Sequence, residues 1–74
     1  MAQHATHSAR ITGPIPYLSA GGKPANIPLG PCLVEELDGE VVDIVWGAHG
    51  ERSTLLPVQV LEAAEESGNL MLLD

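Results

Sequence analysis

The clearest pattern of apolar and polar positions in the chain runs from Leu33 to Gly47, with the sequence LVEELDGEVVDIVWG. The two types of residue alternate on either side of Asp38-Gly39, as in two antiparallel strands that bury one face. An Asp-Gly pair between such runs favours a two-residue type I′ turn, which sets the cross-strand register. The pattern therefore predicts a hairpin in which Leu33 lies opposite Ile44.

This register sorts the side chains of the hairpin into two faces. The predicted core face carries Leu33, Leu37, Val42, Ile44 and Trp46, interrupted by Glu35 and Glu40. The second face carries Cys32, Val34, Val41 and Val45, together with Glu36 and Asp43. Because half of the second face is apolar, we expect another part of the protein or a partner to cover it.

The segment before this hairpin is rich in proline. Five of the 6 prolines lie in residues 14–31, and prolines exclude a helix but are tolerated in edge strands and turns. Short extended runs on either side of Gly21-Gly22 favour an irregular edge hairpin. The alternative is a loop that wraps the core and is anchored by the apolar residues of the segment.

The pattern after Trp46 predicts a third strand, a helix and a last strand. The sequence GAHG reads as a turn, and ERSTLL continues as an extended strand. Pro57 suits a helix start and Gly68 a helix end, with good helix formers between them. The residues at helical spacing for one face are Val60, Leu61 and Ala64. The sequence NLMLL is too short for another helix and reads as a final buried strand.

These elements predict a mainly β, β-rich α+β domain. We expect a small, strongly bent antiparallel sheet, or a partly open barrel broadly like SH3-type barrels, with one short helix before the last strand. Residues 10–74 would form this single small domain. Residues 1–9 are small and polar without periodicity, which predicts a disordered N-terminal arm.

Charge narrows the range of partners. The chain has 74 residues and a net charge of −7, and all 10 acids lie from Glu35 onward. A body this acidic repels phosphate, so nucleic-acid binding is not expected. It would attract a basic protein partner, although the charge also serves solubility alone. No apolar run approaches the length that spans a membrane, so no membrane partner is expected either.

The cysteine content and the first residues indicate the compartment. Cys32 is the only cysteine, so a disulfide within the chain is excluded. The opening residues, MAQHATHSAR, lack the pattern of a secretory signal. We therefore expect a cytoplasmic protein.

The candidates for catalysis are few. A Cys32–His49 nucleophile pair is conceivable, but the sequence supplies no third orienting group, so we interpret Cys32 as a small buried hydrophobe. Trp46 is assigned to the core rather than to a site. The sequence thus predicts neither an enzyme nor a cofactor.

Metal binding has weak candidates only, namely His4, His49 and Cys32. Removal of Met1 would leave Ala-Gln-His at the amino end, which can wrap Cu²⁺ or Ni²⁺ in a square plane through His4. His7 completes the sequence HATH, whose spacing fixes no site in a flexible arm.

The leading hypothesis is a non-catalytic cytoplasmic accessory protein that acts through protein–protein contact or self-association. Its expected contact surface consists of Val34, Val41 and Val45 on the second face, and Tyr17 on the edge hairpin. A homodimer through that face or through an edge strand would meet the stability need of so small a chain. The alternatives are a small metal- or ligand-binding module and, less favoured, a nucleic-acid-binding small barrel.

Overall fold

A computed structural model describes residues 5–73, and a five-stranded antiparallel sheet dominates it. Its strands are β1 (Ala5–Ile11), β4 (Gly30–Glu36), β5 (Val41–Trp46), β6 (Arg52–Pro57) and β7 (Leu70–Leu72), in the spatial order β6-β5-β4-β1-β7. A second, two-stranded sheet pairs β2 (Pro16–Leu18) with β3 (Pro24–Asn26), and helix α1 (Val58–Glu66) precedes β7. The mainly β prediction with one short helix before the last strand is confirmed. The edge strands β6 and β7 are not paired with each other, so the sheet is not a closed barrel.

Strand β1 corrects the prediction of a disordered arm. Residues 5–9 pair with β4, and residues 9–11 pair with β7, which places β1 inside the sheet. Its inward side chains include Ala9 and Ile11, each 1% exposed. The arm prediction is therefore wrong for residues 5–9, because they pair with β4 as part of a strand that buries Ala9. The rest of the predicted arm, residues 1–4, lies outside the described residues.

The register of the β4–β5 hairpin differs by one residue from the predicted one. Leu33 lies opposite Val45, and Val34 lies opposite Ile44. Since side chains alternate between faces, a shift of one residue inverts β4 relative to β5. Cys32 and Val34 therefore point into the core, and Leu33 points away from it.

The turn explains the shift. A type I′ turn needs positive φ at Asp38 and Gly39, yet among the described residues only glycines have positive φ, Gly39 with 91°. Leu37 instead donates its N–H to the carbonyl of Val41. The Asp38 carboxylate accepts the N–H groups of Glu40 and Val41, at 3.0 and 3.2 Å. The side chain thus stabilises a loop of residues 38–40, one residue longer than predicted.

The other predicted elements are present. The proline-rich segment forms the β2–β3 hairpin, and Gly50 closes the GAHG turn by donating its N–H to the carbonyl of Gly47. Helix α1 follows Pro57 and ends before Gly68, whose φ of +81° is one that glycine adopts readily. The helix buries Leu61 and Ala64 of its predicted face. In the last strand only Leu70 is buried, so the prediction of a buried strand holds for that residue alone.

One side of the sheet, together with α1 and the proline-rich segment, encloses the core. Its buried side chains are Ala9, Ile11, Ile15, Ile27, Cys32, Val34, Val42, Ile44, Trp46, Leu56, Leu61, Ala64 and Leu70. Trp46 packs edge to face against Tyr17, with ring centroids 5.3 Å apart and an interplanar angle of 76°. The assignment of Trp46 and Cys32 to the core is confirmed.

Asn69 holds the end of β1 against the segment that follows α1. Its carbonyl accepts the N–H groups of Thr12 and Gly13, and its side-chain amide donates to the carbonyl of Pro14 at 3.1 Å. A Cβ atom on Gly13 would lie 2.1 Å from the Asn69 Oδ1 atom. A larger residue at position 13 would therefore have to displace the Asn69 side chain.

Candidate functional site

The structure separates the predicted contact residues. Val34 is 1% exposed and cannot meet a partner, so its assignment to the contact surface is wrong. Tyr17 is half-buried on the core side, where its ring packs on Trp46. Val41 and Val45 lie half-buried on the opposite side of the sheet, and their role in a contact stays a prediction.

We define the outer face as the side of the five-stranded sheet opposite the core. Helix α1 and the β2–β3 hairpin pack on the core side, so no described element covers the outer face. Its apolar side chains on β4, β5 and β6 are Leu33, Val41, Val45 and Leu55. Leu33 is 43% exposed and Leu55 is 61% exposed. The sequence prediction missed both leucines, Leu33 because of the shifted register and Leu55 because β6 was not assigned to faces.

An acidic pair lies among these apolar side chains. Glu35 on β4 is directly opposite Asp43 on β5, and Leu55 lies opposite Asp43 on its other side. Both residues are half-buried, and no ion pair joins either of them to a base within residues 5–73. Desolvation by burial, and then the charge of Glu35, raises the pKa of Asp43 above its usual value. Like charges directly opposite each other destabilise a sheet, so this pair has an electrostatic cost that a cation would remove.

Cys32 and His49, the pair that was considered for catalysis, lie in different environments. Cys32 is buried, and burial raises the pKa of its thiol, which disfavours the reactive thiolate. His49 is exposed in the loop before β6, and its backbone N–H donates to the Glu51 carboxylate at 2.9 Å. No hydrogen bond links Cys32 to His49 in the part of the chain that is described. The pair that the sequence left conceivable is thus not joined by a hydrogen bond, and the interpretation of Cys32 as a buried residue is the one that agrees with the structure.

Of the two histidines near the amino end, the structure describes His7 but not His4. His7 lies on β1 and pairs with Glu36 of β4, with 2.6 Å between the imidazole Nε2 and a carboxylate oxygen. The Ala-Gln-His prediction for His4 falls outside the described residues. Within residues 5–73, no three His, Cys, Asp or Glu side chains are grouped as a metal site would require.

Two further findings bear on the site. The one helix among residues 5–73 is too short and too polar to cross a bilayer. Comparison with known protein families, with curated proteins and with solved structures finds no match to this chain. The outer face, with its apolar side chains and its unneutralised acidic pair, is therefore the candidate site on physical grounds alone.

Proposed function

We propose that this chain is a non-catalytic interaction protein of the cytoplasm, which binds a basic protein through the outer face. The observation that carries the proposal is the Glu35–Asp43 pair, half-buried among apolar side chains and unpaired with any base in residues 5–73. A partner that presents an arginine or lysine beside apolar groups would satisfy both parts of this surface. Such arrangements, with charge inside an apolar patch, give orientation and specificity to protein contacts.

The apolar part of the surface supplies the area of contact. Leu33 and Val45 face each other across the β4–β5 ladder, and Leu55 continues the apolar surface on β6. Exposed apolar patches of this kind, rimmed by polar residues, mark contact surfaces in soluble proteins. The net charge of −7 extends the attraction for a basic partner beyond direct contact.

The non-catalytic part of the proposal is supported by the position of Cys32. The only thiol in the sequence is buried in the core rather than exposed beside a base. A free buried thiol also agrees with action in the reducing cytoplasm. Cell fractionation with an antibody against the chain would test that location, and recovery in an exported fraction would contradict it.

The proposal is tested by comparing the proteins that three immobilised forms retain from an extract of the native host. The forms are the wild type, the variant Leu33→Ser/Asp43→Asn, and the control Leu29→Ser. Leu29 is 69% exposed and lies before β4, outside the five strands that form the outer face, so its replacement removes at least as much exposed apolar surface as that of Leu33, which is 43% exposed. We expect a basic protein on the wild type and the control, and its loss from the outer-face variant. Retention of the same proteins by all three forms would contradict the proposal.

A further inference from the structure

We infer that β6 is a self-complementary edge, through which two copies of the chain pair antiparallel about a two-fold axis at Thr54. The inference concerns the edge of the sheet and does not depend on the function proposed for the outer face. It rests on three observations, which are the direction of the free backbone groups of β6, the apolar side chains beside it and its charge.

The backbone groups come first. In the β5–β6 ladder Thr54 lies opposite Ile44, and Val58 extends the ladder by donating its N–H to the carbonyl of Glu40. Antiparallel pairing alternates, so Thr54 and the residues at even spacing from it direct their N–H and C=O groups toward β5. Ser53 and Leu55 therefore direct theirs away from the sheet. Because β6 is an edge strand, these groups have no strand to pair with among residues 5–73.

A two-fold axis at Thr54 pairs the outward N–H and C=O groups of Ser53 and Leu55 with those of the second copy. It places Ser53 of each copy opposite Leu55 of the other, so that each such pair exchanges both backbone hydrogen bonds. Thr54 then faces Thr54 of the second copy as a non-hydrogen-bonded pair. Pro57, which has no N–H, lies at the end of the paired segment. It therefore ends the new ladder there and removes no hydrogen bond from its middle. The result is one continuous sheet across both copies.

Exposed apolar side chains flank this edge on both sides of the sheet. Leu55 is 61% exposed on the outer face, and Leu18 is 68% exposed on the core side. A groove of about 420 Å³ runs between the β2–β3 hairpin and β6, lined by Pro16, Tyr17, Leu18, Pro24, Thr54, Leu55 and Leu56. The two-fold axis brings the two grooves side by side, so pairing removes apolar surface from water on both sides of the new ladder.

Charge permits contact between identical chains at β6. Each copy carries a net charge of −7, so association must avoid placing acids together. Strand β6 contains Arg52 and no acid. The other edge, β7, is only 3 residues long and offers fewer backbone groups.

The test uses single cysteine variants under mild oxidation, read as dimer on a non-reducing gel. In the inferred register Thr54→Cys brings two thiols together, since Cα atoms of a non-hydrogen-bonded pair lie about 4.5 Å apart, within the range for a disulfide. The matched control is Ser53→Cys, because the axis places residue 53 opposite residue 55, roughly 8 Å from its counterpart. We expect Thr54→Cys to cross-link and Ser53→Cys to remain monomeric. Equal cross-linking of the two variants would overturn the register, and no cross-linking of Thr54→Cys would overturn the dimer.

Sedimentation equilibrium at increasing concentration gives an independent measure. We expect the wild type to approach twice the 7.8 kDa mass of one chain. Leu55→Pro removes the outward N–H and should weaken association about tenfold, corresponding to about 1.4 kcal/mol. Leu55→Ser loses the same apolar side chain but keeps the N–H, so it should associate more tightly than Leu55→Pro. Equal urea midpoints for the two variants would show that both are folded. A wild type that stays monomeric throughout, or equal association of the two folded variants, would overturn the inference.

Discussion

Leu33 and Val45 lie directly opposite each other on neighbouring strands and on the face of the sheet that is away from the core. This pairing decides which β4 side chains stabilise the protein and which are available for contact. The neighbouring residue Val34 has the opposite orientation and is 1% exposed.

Truncation of these two neighbours tests the register. Val34→Ala removes buried methyl groups and leaves a cavity, which should lower the free energy of unfolding by about 2 kcal/mol. Leu33→Ala deletes a larger part of a side chain, yet it should cost less than about 1 kcal/mol because Leu33 is exposed to solvent. Urea denaturation followed by Trp46 fluorescence measures both values. The reverse order of the two costs would support the register with Leu33 in the core.

The acidic pair predicts an unusual pH dependence. The pKa of Asp43 in the folded protein is raised above 3.8, the value for an unperturbed aspartate. At pH values between 3.8 and the raised pKa, the folded state therefore binds more protons than the unfolded state. Its contribution to the free energy of unfolding therefore falls as the pH rises through this window, and it stays unfavourable at pH near 7. Asp43→Asn should be more stable than the wild type at neutral pH and should gain less stability on acidification.

Glu40→Gln is the control for this prediction, because Glu40 is exposed in the hairpin loop. Urea midpoints at neutral pH and near pH 4 compare the three proteins. An equal gain for Glu40→Gln would assign the effect to net charge rather than to the pairing of Asp43 with Glu35.

The close contact between Gly13 and Asn69 predicts that a larger residue at position 13 lowers the free energy of unfolding through steric overlap, although no apolar group is lost. Gly13→Ala places a methyl group against the Asn69 side chain, and relieving this overlap should cost about 1–3 kcal/mol. In the double variant Gly13→Ala/Asn69→Ala the overlap with the amide is absent. In a double-mutant cycle, the losses in free energy of unfolding of the two single variants should therefore add up to more than the loss in the double variant. Strict additivity would show that the two residues are not in contact.

Burial of Cys32 predicts slow thiol chemistry in the folded protein. A thiol reagent such as DTNB should modify native Cys32 at least about a hundredfold more slowly than the urea-unfolded chain, because reaction requires local or global opening. Ala48→Cys, in the exposed turn before β6, supplies an accessible thiol for comparison. Equal native rates at Cys32 and at the introduced cysteine would contradict the assignment of Cys32 to the core.

The elements that the sequence predicted correctly are those with strong local signals. Helix α1 is bounded by Pro57 and Gly68, and the β4–β5 hairpin has alternation on both sides of its turn. Strand β1 was missed because His7 interrupts the alternation of Ala5, Ala9 and Ile11 with polar residues. In addition, alanine has a low β propensity and provides little apolar contrast. The strand conformation of β1 depends on pairing with β4 and β7, which lie far away in sequence.

The face of β4 could not be predicted for a different reason. An Asp-Gly pair is compatible with a two-residue and with a three-residue loop, and these two loops give opposite faces. The chain adopts the loop in which Asp38 accepts the N–H groups of Glu40 and Val41. The acidic pair and the exposed Leu33 follow from that loop, so the candidate site could not be derived from alternation alone.

In the described part of the chain, strand β7 joins the sheet only through β1, and Leu73 extends this ladder by donating its N–H to the carbonyl of Ser8. The two strands come from opposite parts of the sequence, whereas β4, β5 and β6 follow one another closely. Such distant pairing is slow because a long loop must close first, so the three-strand meander should form early and the β1–β7 ladder last. Pulsed hydrogen exchange during refolding would then protect the amides of β5 before those of β1. While the last ladder is still open, β1 has a temporary free edge, and this is the stage at which the protein is most exposed to aggregation.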